Sequence, residues 1–322
     1  MKTIKVGIIG GAGYTGGELL RILLKHPNAD IIFINSESQS GKHVSETHKD
    51  LFGETELRFS SSRDFTSVDV LFLCSGHGQS LKFLEANVVP KSVSIIDLST
   101  DFRDESHGFT YGLPELQKDK IIGSTKIANP GCFATSIQLA LLPLAKAGLL
   151  KSDVHVSAIT GSTGAGQSPS AMGHFSWRNN NISVYKAFTH QHLKEIGQSL
   201  ISLQANFDSE INFIPYRGNF TRGIMANVYT NYEGSLKEAL AIYKAFYAEA
   251  PFVHVSENTI DLKMVVNTNK GIVQLQKDGQ KLLITSIIDN LTKGASGQAV
   301  QNMNLIFGLE ETTGLKLKSV GF

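Results

Sequence analysis

Hydrophobic residues fall into two textures along the chain. In the first half, wholly apolar runs alternate with stretches of helical spacing; in the second, apolar and polar residues alternate singly. Lys5-Val6-Gly7-Ile8-Ile9 is a short β-rich run. Gly10-Gly11-Ala12-Gly13-Tyr14-Thr15-Gly16 follows at once, and residues 18–24 then show helical spacing, closed by His26-Pro27-Asn28. The runs at 31–34, 68–74 and 93–98 read as buried strands. Residues 126–129 form another short strand, and a Pro130-Gly131 turn leads into an apolar, alanine-rich helix that runs to about Lys146. Beyond Gly148, residues 154–160 alternate as a half-exposed strand does, and so do the runs around 226–231, 264–269 and 282–288, with one helix over 236–248. The pattern predicts an α/β chain: strand–helix units first, then a separate mixed sheet, whose alternating strands suggest a subunit interface.

Composition narrows this little. The 322 residues suit two domains, and 41% hydrophobic content with 30 glycines and 8 prolines is ordinary for a folded α/β protein. A formal charge of +1 supplies no field for steering nucleic acid or an anionic membrane. Residues 1–10 superficially resemble a signal peptide, but Lys5 and Gly7 break the apolar run, and no run elsewhere reaches membrane length. Two cysteines, Cys74 and Cys132, make no disulfide framework, so a reducing cytoplasm is expected.

Strand, glycine turn and helix together form the context of a dinucleotide fingerprint, here spaced G-x-x-G-x-x-G. Gly10 permits the tight turn, Gly13 lets a pyrophosphate approach the backbone, and Gly16 lets the helix lie close. At the end of the second strand, Ser36 and Ser38 can donate to a ribose 2′-phosphate, Glu37 repels one if it points inward, and Lys42 can compensate. These residues alone leave NADP against NAD undecided. The Gly294–Gln298 turn opens a last helix whose N-terminus can return to the first domain and contact phosphate or nicotinamide.

Cys132 carries the chemistry. A thiol at the start of a helix sits among amides without intrahelical partners and in the positive end of the macrodipole, which favours the thiolate. The same amides can hold an oxyanion formed by attack on a carbonyl. The alternative is a small buried hydrophobe, the reading given to Cys74. His192 and Glu195 are three apart, so on a helix they share a face, and a carboxylate bonded to one ring nitrogen leaves the other for acid–base work. A packed histidine pair is the rival reading. A metal set with His190 lacks further ligands, and no metal is expected. Ser162, in the loop 161–169, can line a substrate pocket, and either Arg217 or Arg222 can clamp an anionic group. Asp101 and Arg103 read as a structural pair.

Asn129-Pro130-Gly131-Cys132-Phe133-Ala134-Thr135, the His190-Gln191-His192 stretch with Glu195, Asp97-Leu98-Ser99-Thr100-Asp101-Phe102-Arg103, Arg222-Gly223-Ile224 and Lys293-Gly294-Ala295-Ser296-Gly297-Gln298 stand in an order that resembles the N-acetyl-γ-glutamyl-phosphate reductases, relatives of aspartate-semialdehyde dehydrogenase, along the whole chain. The resemblance implies a Rossmann-type dinucleotide-binding domain (1–147 and 292–322) and an α+β catalytic and dimerisation domain with a mixed sheet (148–291). It implies Cys132 as nucleophile, His192 as acid–base residue and Glu195 as its orienter. It also implies NADP rather than NAD, held by Gly10, Gly13, Tyr14, Thr15, Gly16, Ser36, Ser38, Gly297 and Asn302. The substrate is a small acyl phosphate met by Asn129, Ser162 and one of the arginines, and the assembly a homodimer or homotetramer. Phe133-Ala134, Ser136 and Glu37 depart from the family's usual residues, the last bearing on cofactor preference. An N-succinyl or other acyl-amino-acid phosphate, an aspartate-semialdehyde dehydrogenase, and a non-catalytic nucleotide sensor are the alternatives.

Overall fold

The computed structural model describes residues 3–321, so Met1, Lys2 and Phe322, inside the expected domain bounds, lie outside the described residues. Two compact units form: residues 1–130 with 295–316, and residues 131–294 with 317–322.

The first unit is a parallel sheet of seven strands. They are β1 (Ile4–Ile9), β2 (Ala29–Asn35), β3 (Phe59–Ser60), β4 (Val70–Leu73), β5 (Ser94–Asp97), β6 (Thr110–Tyr111) and β7 (Lys126–Ala128), in the order β3-β2-β1-β4-β5-β7-β6. Every pairing within it is parallel. Crossing from β1 to β2 on one side and to β4 on the other makes a topological switch at the C-terminal end of β1, where ligands of open α/β sheets bind. The helices are α1 (Tyr14–Leu23), the one-turn α2 (Val44–Thr47), α3 (Gln79–Ala86) and α4 (Pro114–Ile122). Ile9, Leu71, Leu73, Ile95, Phe102 and Phe109 form part of the core on this sheet. Asp101 does not pair with Arg103. Its carboxylate accepts the amides of Gly78 (2.6 Å) and Leu81 (3.0 Å) at the start of α3, while Arg103 Nε donates to the Asn129 carbonyl at 3.0 Å.

The second unit opens with α5 (Cys132–Lys146), buried continuously from Phe133 to Ala145. A helix apolar all round must be enclosed, and α5 packs into one core with Val156, Ala158, Phe213, Val228 and Ile284 of the mixed sheet. That packing puts α5 in the second unit, so the division falls ahead of the boundary expected after residue 147. Pro143 lies inside α5 and has no N–H for the Leu139 carbonyl. The Tyr247 hydroxyl donates to that carbonyl instead, at 2.5 Å, and Tyr243 donates to the carbonyl of Ala140.

The remaining elements are β8 (Val154–Thr160), the one-turn α6 (Phe175–Arg178), β9 (Ser183–Val184), α7 (His192–Leu203), β10 (Ile211–Arg217), β11 (Ile224–Asn231), α8 (Leu236–Phe246), β12 (Val253–Ser256), β13 (Gly271–Asp278) and β14 (Lys281–Ile288). The sheet order is β12-β13-β14-β11-β8-β10-β9, with β8 and β10 parallel and β8, β11, β14 and β13 successively antiparallel. The strand expected at 264–269 is not there. Residues 262–264 form a helical turn, Asn267 adopts φ +65°, and the strand is β13 instead. The final helix, α9 (Gly297–Ile306), belongs to the first unit and is buried through Leu305. Among the described residues, no helix is long and apolar enough to cross a membrane.

Candidate functional site

Cys132 is the first residue of α5, behind an extended Gly131, and no side chain caps the helix. The thiol is only partly buried. His192 is likewise the first residue of α7, and Glu195 lies in the same first turn. The two helix starts are joined directly, because Glu195 Oε2 accepts the Gly131 amide at 3.0 Å. His192 Nε2 stands 3.9 Å from Glu195 Oε1, an ion-pair separation longer than the hydrogen bond expected from their spacing. The other oxygen of the carboxylate is engaged by the amide ahead of Cys132. Phe133 contacts the His192 ring edge-on, with centroids 6.4 Å apart, so α5 and α7 bring sulfur and imidazole to one neighbourhood.

Three further groups surround them. The His190 ring packs against His192 at 4.5 Å, and its Nδ1 accepts the His192 amide at 3.3 Å. Burial lowers the His190 pKa to about 4, helped by the charges of Lys186 and Arg217. His190 is therefore neutral at physiological pH. Tyr185 lies under the Arg217 guanidinium, 4.7 Å from its ring centre. Burial pushes the Tyr185 phenol up to about 12; Arg217 works against the rise, and the charge of an ionised Cys132 adds to it.

Behind the sulfur runs a rigid turn. Gly294 donates to the Asp289 carbonyl at 2.9 Å in a wide turn, and a Cβ built on it would stand 2.8 Å from that of Cys132. Only glycine lets the turn approach so closely. Asp289 is fully buried and gathers the amides of Asn267, Leu291 and Thr292 with a two-pronged ion pair from Arg222 (2.9 and 3.0 Å). Arg222 thus braces this turn through Asp289.

In the first unit, Gly10 has φ +77°, and a Cβ there would strike the Cys74 carbonyl at 2.9 Å. Gly16 sits on Gly11, where a Cβ would come within 2.6 Å of its Cα. Gly13 precedes α1 with no side-chain cap. An uncapped helix start behind a turn that excludes side chains fits a dinucleotide pyrophosphate.

The semialdehyde dehydrogenase NAD binding domain matches residues 5–124, and the semialdehyde dehydrogenase dimerisation domain matches 132–290. N-acetyl-gamma-glutamyl-phosphate reductases of Bacteroides thetaiotaomicron and Parabacteroides distasonis are each 58% identical over 321 residues, 99% of this chain and 100% of theirs. The chain belongs to the N-acetyl-gamma-glutamyl-phosphate reductase family. The reductase of Christiangramia forsetii, 58% identical over 98% of this chain and 99% of its own, agrees. Aspartate semialdehyde dehydrogenase II of Vibrio cholerae, complexed with ASA, has the same fold (TM-score 0.76, 17% identity, covering 96% of this chain and 99% of that one). So does the Candida albicans enzyme with NADP (TM-score 0.71, 13% identity, 95% and 99%).

In this reductase chain the expected site residues fall into two groups. Cys132, His192, Glu195, Arg217 and Ser162 lie in the second unit, and the Ser162 carbonyl accepts Arg217 Nη1 at 3.3 Å. Gly10, Gly13, Tyr14, Thr15, Gly16, Ser36 and Ser38 lie in the first unit, Tyr14 and Ser38 exposed and Ser36 buried. Asn129 and Asn302 have structural partners: Asn302 Nδ2 donates to the Gly112 carbonyl (2.9 Å) and to Asn129 Oδ1 (3.2 Å), while Asn129 Nδ2 donates to the Ala295 carbonyl (3.0 Å). Gly297 is buried at the start of α9. Sequence reasoning missed Arg63, which forms an ion pair with the exposed Glu37 beside Ser36 and Ser38. Lys42 turns to Gln39 instead. Tyr185 beside Arg217 and Gly294 against Cys132 were likewise missed.

Proposed function

We propose that this chain reduces N-acetyl-γ-glutamyl phosphate to N-acetylglutamate 5-semialdehyde and phosphate with NADPH, through a thioester on Cys132, in arginine biosynthesis. One observation carries the reading: Cys132 and His192 begin two helices that the Glu195–Gly131 bond ties together. His192 takes the thiol proton, and the dipole of α5 favours the thiolate. Sulfur attacks the acyl carbon, the C–O bond breaks, and phosphate leaves with its electron pair. The amides opening α5 hold the oxyanion during that exchange. NADPH, when bound by the glycine turn of the first unit, supplies the hydride that carries the thioester to the aldehyde level. His192 returns its proton to the carbonyl-derived oxygen, and the C–S bond then breaks to release aldehyde and regenerate the thiol. Glu195 holds Gly131, and so the start of α5, in register with α7.

A thiol nucleophile must stay reduced, which assigns the reaction to the cytoplasm. The open face of the mixed sheet carries His155 stacked on the exposed Tyr229, and we assign that face to a second copy of the chain in a dimer or tetramer. Cys132→Ser tests the chemistry: phosphate-dependent NADP reduction by N-acetylglutamate semialdehyde should vanish while NADP binding persists. Turnover within about tenfold of the parent rules out sulfur as the nucleophile. An N-succinyl analogue and aspartate semialdehyde run alongside identify the acyl group.

A further inference from the structure

Arg217 ends β10 and is buried, 8% exposed. Unlike Arg222, it meets no carboxylate among the described residues; its contacts are the Ser162 carbonyl and the face of Tyr185. The fixed charges around it add to its own: Lys186 and Arg217 together depress His190, and Arg178, which donates to the Arg217 carbonyl at 2.8 Å, feels the Arg217 charge as well. A buried guanidinium left without a counter-charge is costly unless a ligand provides one.

A second group points to the same place. Thr160 ends β8 and is the register partner of Arg217, so both side chains leave the buried face of the sheet. Thr160 is 1% exposed, and its Oγ1 has no hydrogen-bond partner among the described residues. Gly164 borders both groups: a Cβ built there would lie 3.2 Å from Thr160 Oγ1 and 3.6 Å from Arg217 Nη1.

We propose that Thr160 and Arg217 form an anion subsite, bordered by Gly164, that holds one of the substrate's two anionic groups, its carboxylate or its phosphoryl oxygens. The inference rests on the acyl-phosphate reduction proposed above. If the carboxylate is the group held, a second anion on the substrate becomes the feature that this enzyme selects. Guanidinium and hydroxyl supply donors in a surround to which Lys186 and Arg178 add further positive charge, which suits either oxyanion.

Reverse-direction kinetics with Arg217→Gln, Arg217→Lys and Thr160→Val test it. The probes are N-acetylglutamate semialdehyde, 4-acetamidobutanal (the same chain without the carboxylate) and inorganic phosphate. Arg217→Gln should raise one KM by about 100-fold, the isosteric Thr160→Val should raise the same KM by about tenfold, and lysine should rescue in part. If the rise is confined to N-acetylglutamate semialdehyde and spares 4-acetamidobutanal, the carboxylate is held; a rise in the phosphate KM assigns the phosphoryl group. A loss of kcat with all three KM values unchanged overturns the subsite. So does a shift only in the pH profile of Cys132 alkylation, which makes Arg217 the counter-ion of the thiolate. Should the parent enzyme turn over neither aldehyde, the proposed reaction fails, and the subsite is then judged by protection of Cys132 from alkylation. Protection by N-acetylglutamate or phosphate that Arg217→Gln abolishes upholds the subsite; equal or absent protection refutes it.

Discussion

Gly294→Ala measures how tightly the sulfur is held. Carbon atoms in contact rest about 3.5–4.0 Å apart, whereas the new methyl would stand 2.8 Å from Cys132 Cβ and 3.2 Å from its Cα. Two segments must therefore separate by about 1 Å. The turn carrying residue 294 cannot yield easily, because its amide is fixed to the Asp289 carbonyl and Asp289 is held by Arg222, Asn267, Leu291 and Thr292. The displacement passes to Cys132. A reacting atom misplaced by about 1 Å costs on the order of 100-fold in rate, and the overpacking costs about 1–3 kcal/mol of stability. Gly294 is not among the positive-φ glycines, so backbone strain does not compete with this effect. The assay is kcat/KM for phosphate-dependent NADP reduction, read with the alkylation rate of Cys132 at neutral pH. A variant within about threefold of the parent in both would refute the reasoning.

Other perturbations follow from single contacts. Tyr247→Phe strips the Leu139 carbonyl of the donor that substitutes for Pro143, and urea unfolding should register a loss of about 1–3 kcal/mol; adding Pro143→Ala, which restores an N–H, should recover part of it. Arg63→Ala should raise the Kd for NADP by about tenfold while leaving that for NAD unchanged, as titration calorimetry would read; equal changes exclude a 2′-phosphate contact. His190 is held neutral, its pKa lowered from 6.5 to about 4, so the unfolded chain binds the extra proton first and stability falls as pH drops from 6.5 towards 4. The group accounts for roughly 3 kcal/mol across that window, and His190→Asn should flatten the acid limb of thermal unfolding against pH.

Local order explains what was legible. The strand, glycine turn and helix at residues 4–23 could be read because turn and periodicity lie side by side in the chain, and Cys132 because Pro130-Gly131 announces a helix start. The strand β10 was obscured by Pro215, which ordinarily argues against a strand interior; here Pro215 pairs with Ala158 near the sheet edge. The run at 264–269 imitates a strand in composition, but Asn267 turns left-handed. The Glu195–Gly131 bond spans 64 residues, and Arg63 meets Glu37 across a loop, so no local pattern announces either. Long-range pairings of this kind decide which of two arginines braces and which is left for a ligand.

The Asp289 carboxylate joins three loops: the one carrying Arg222, the one carrying Asn267, and its own. An insertion or deletion in any one of them would drag on the other two and, through Gly294, on Cys132. Homologous chains should therefore hold these three loop lengths nearly constant, a signature of shared anchorage that length comparison alone would reveal.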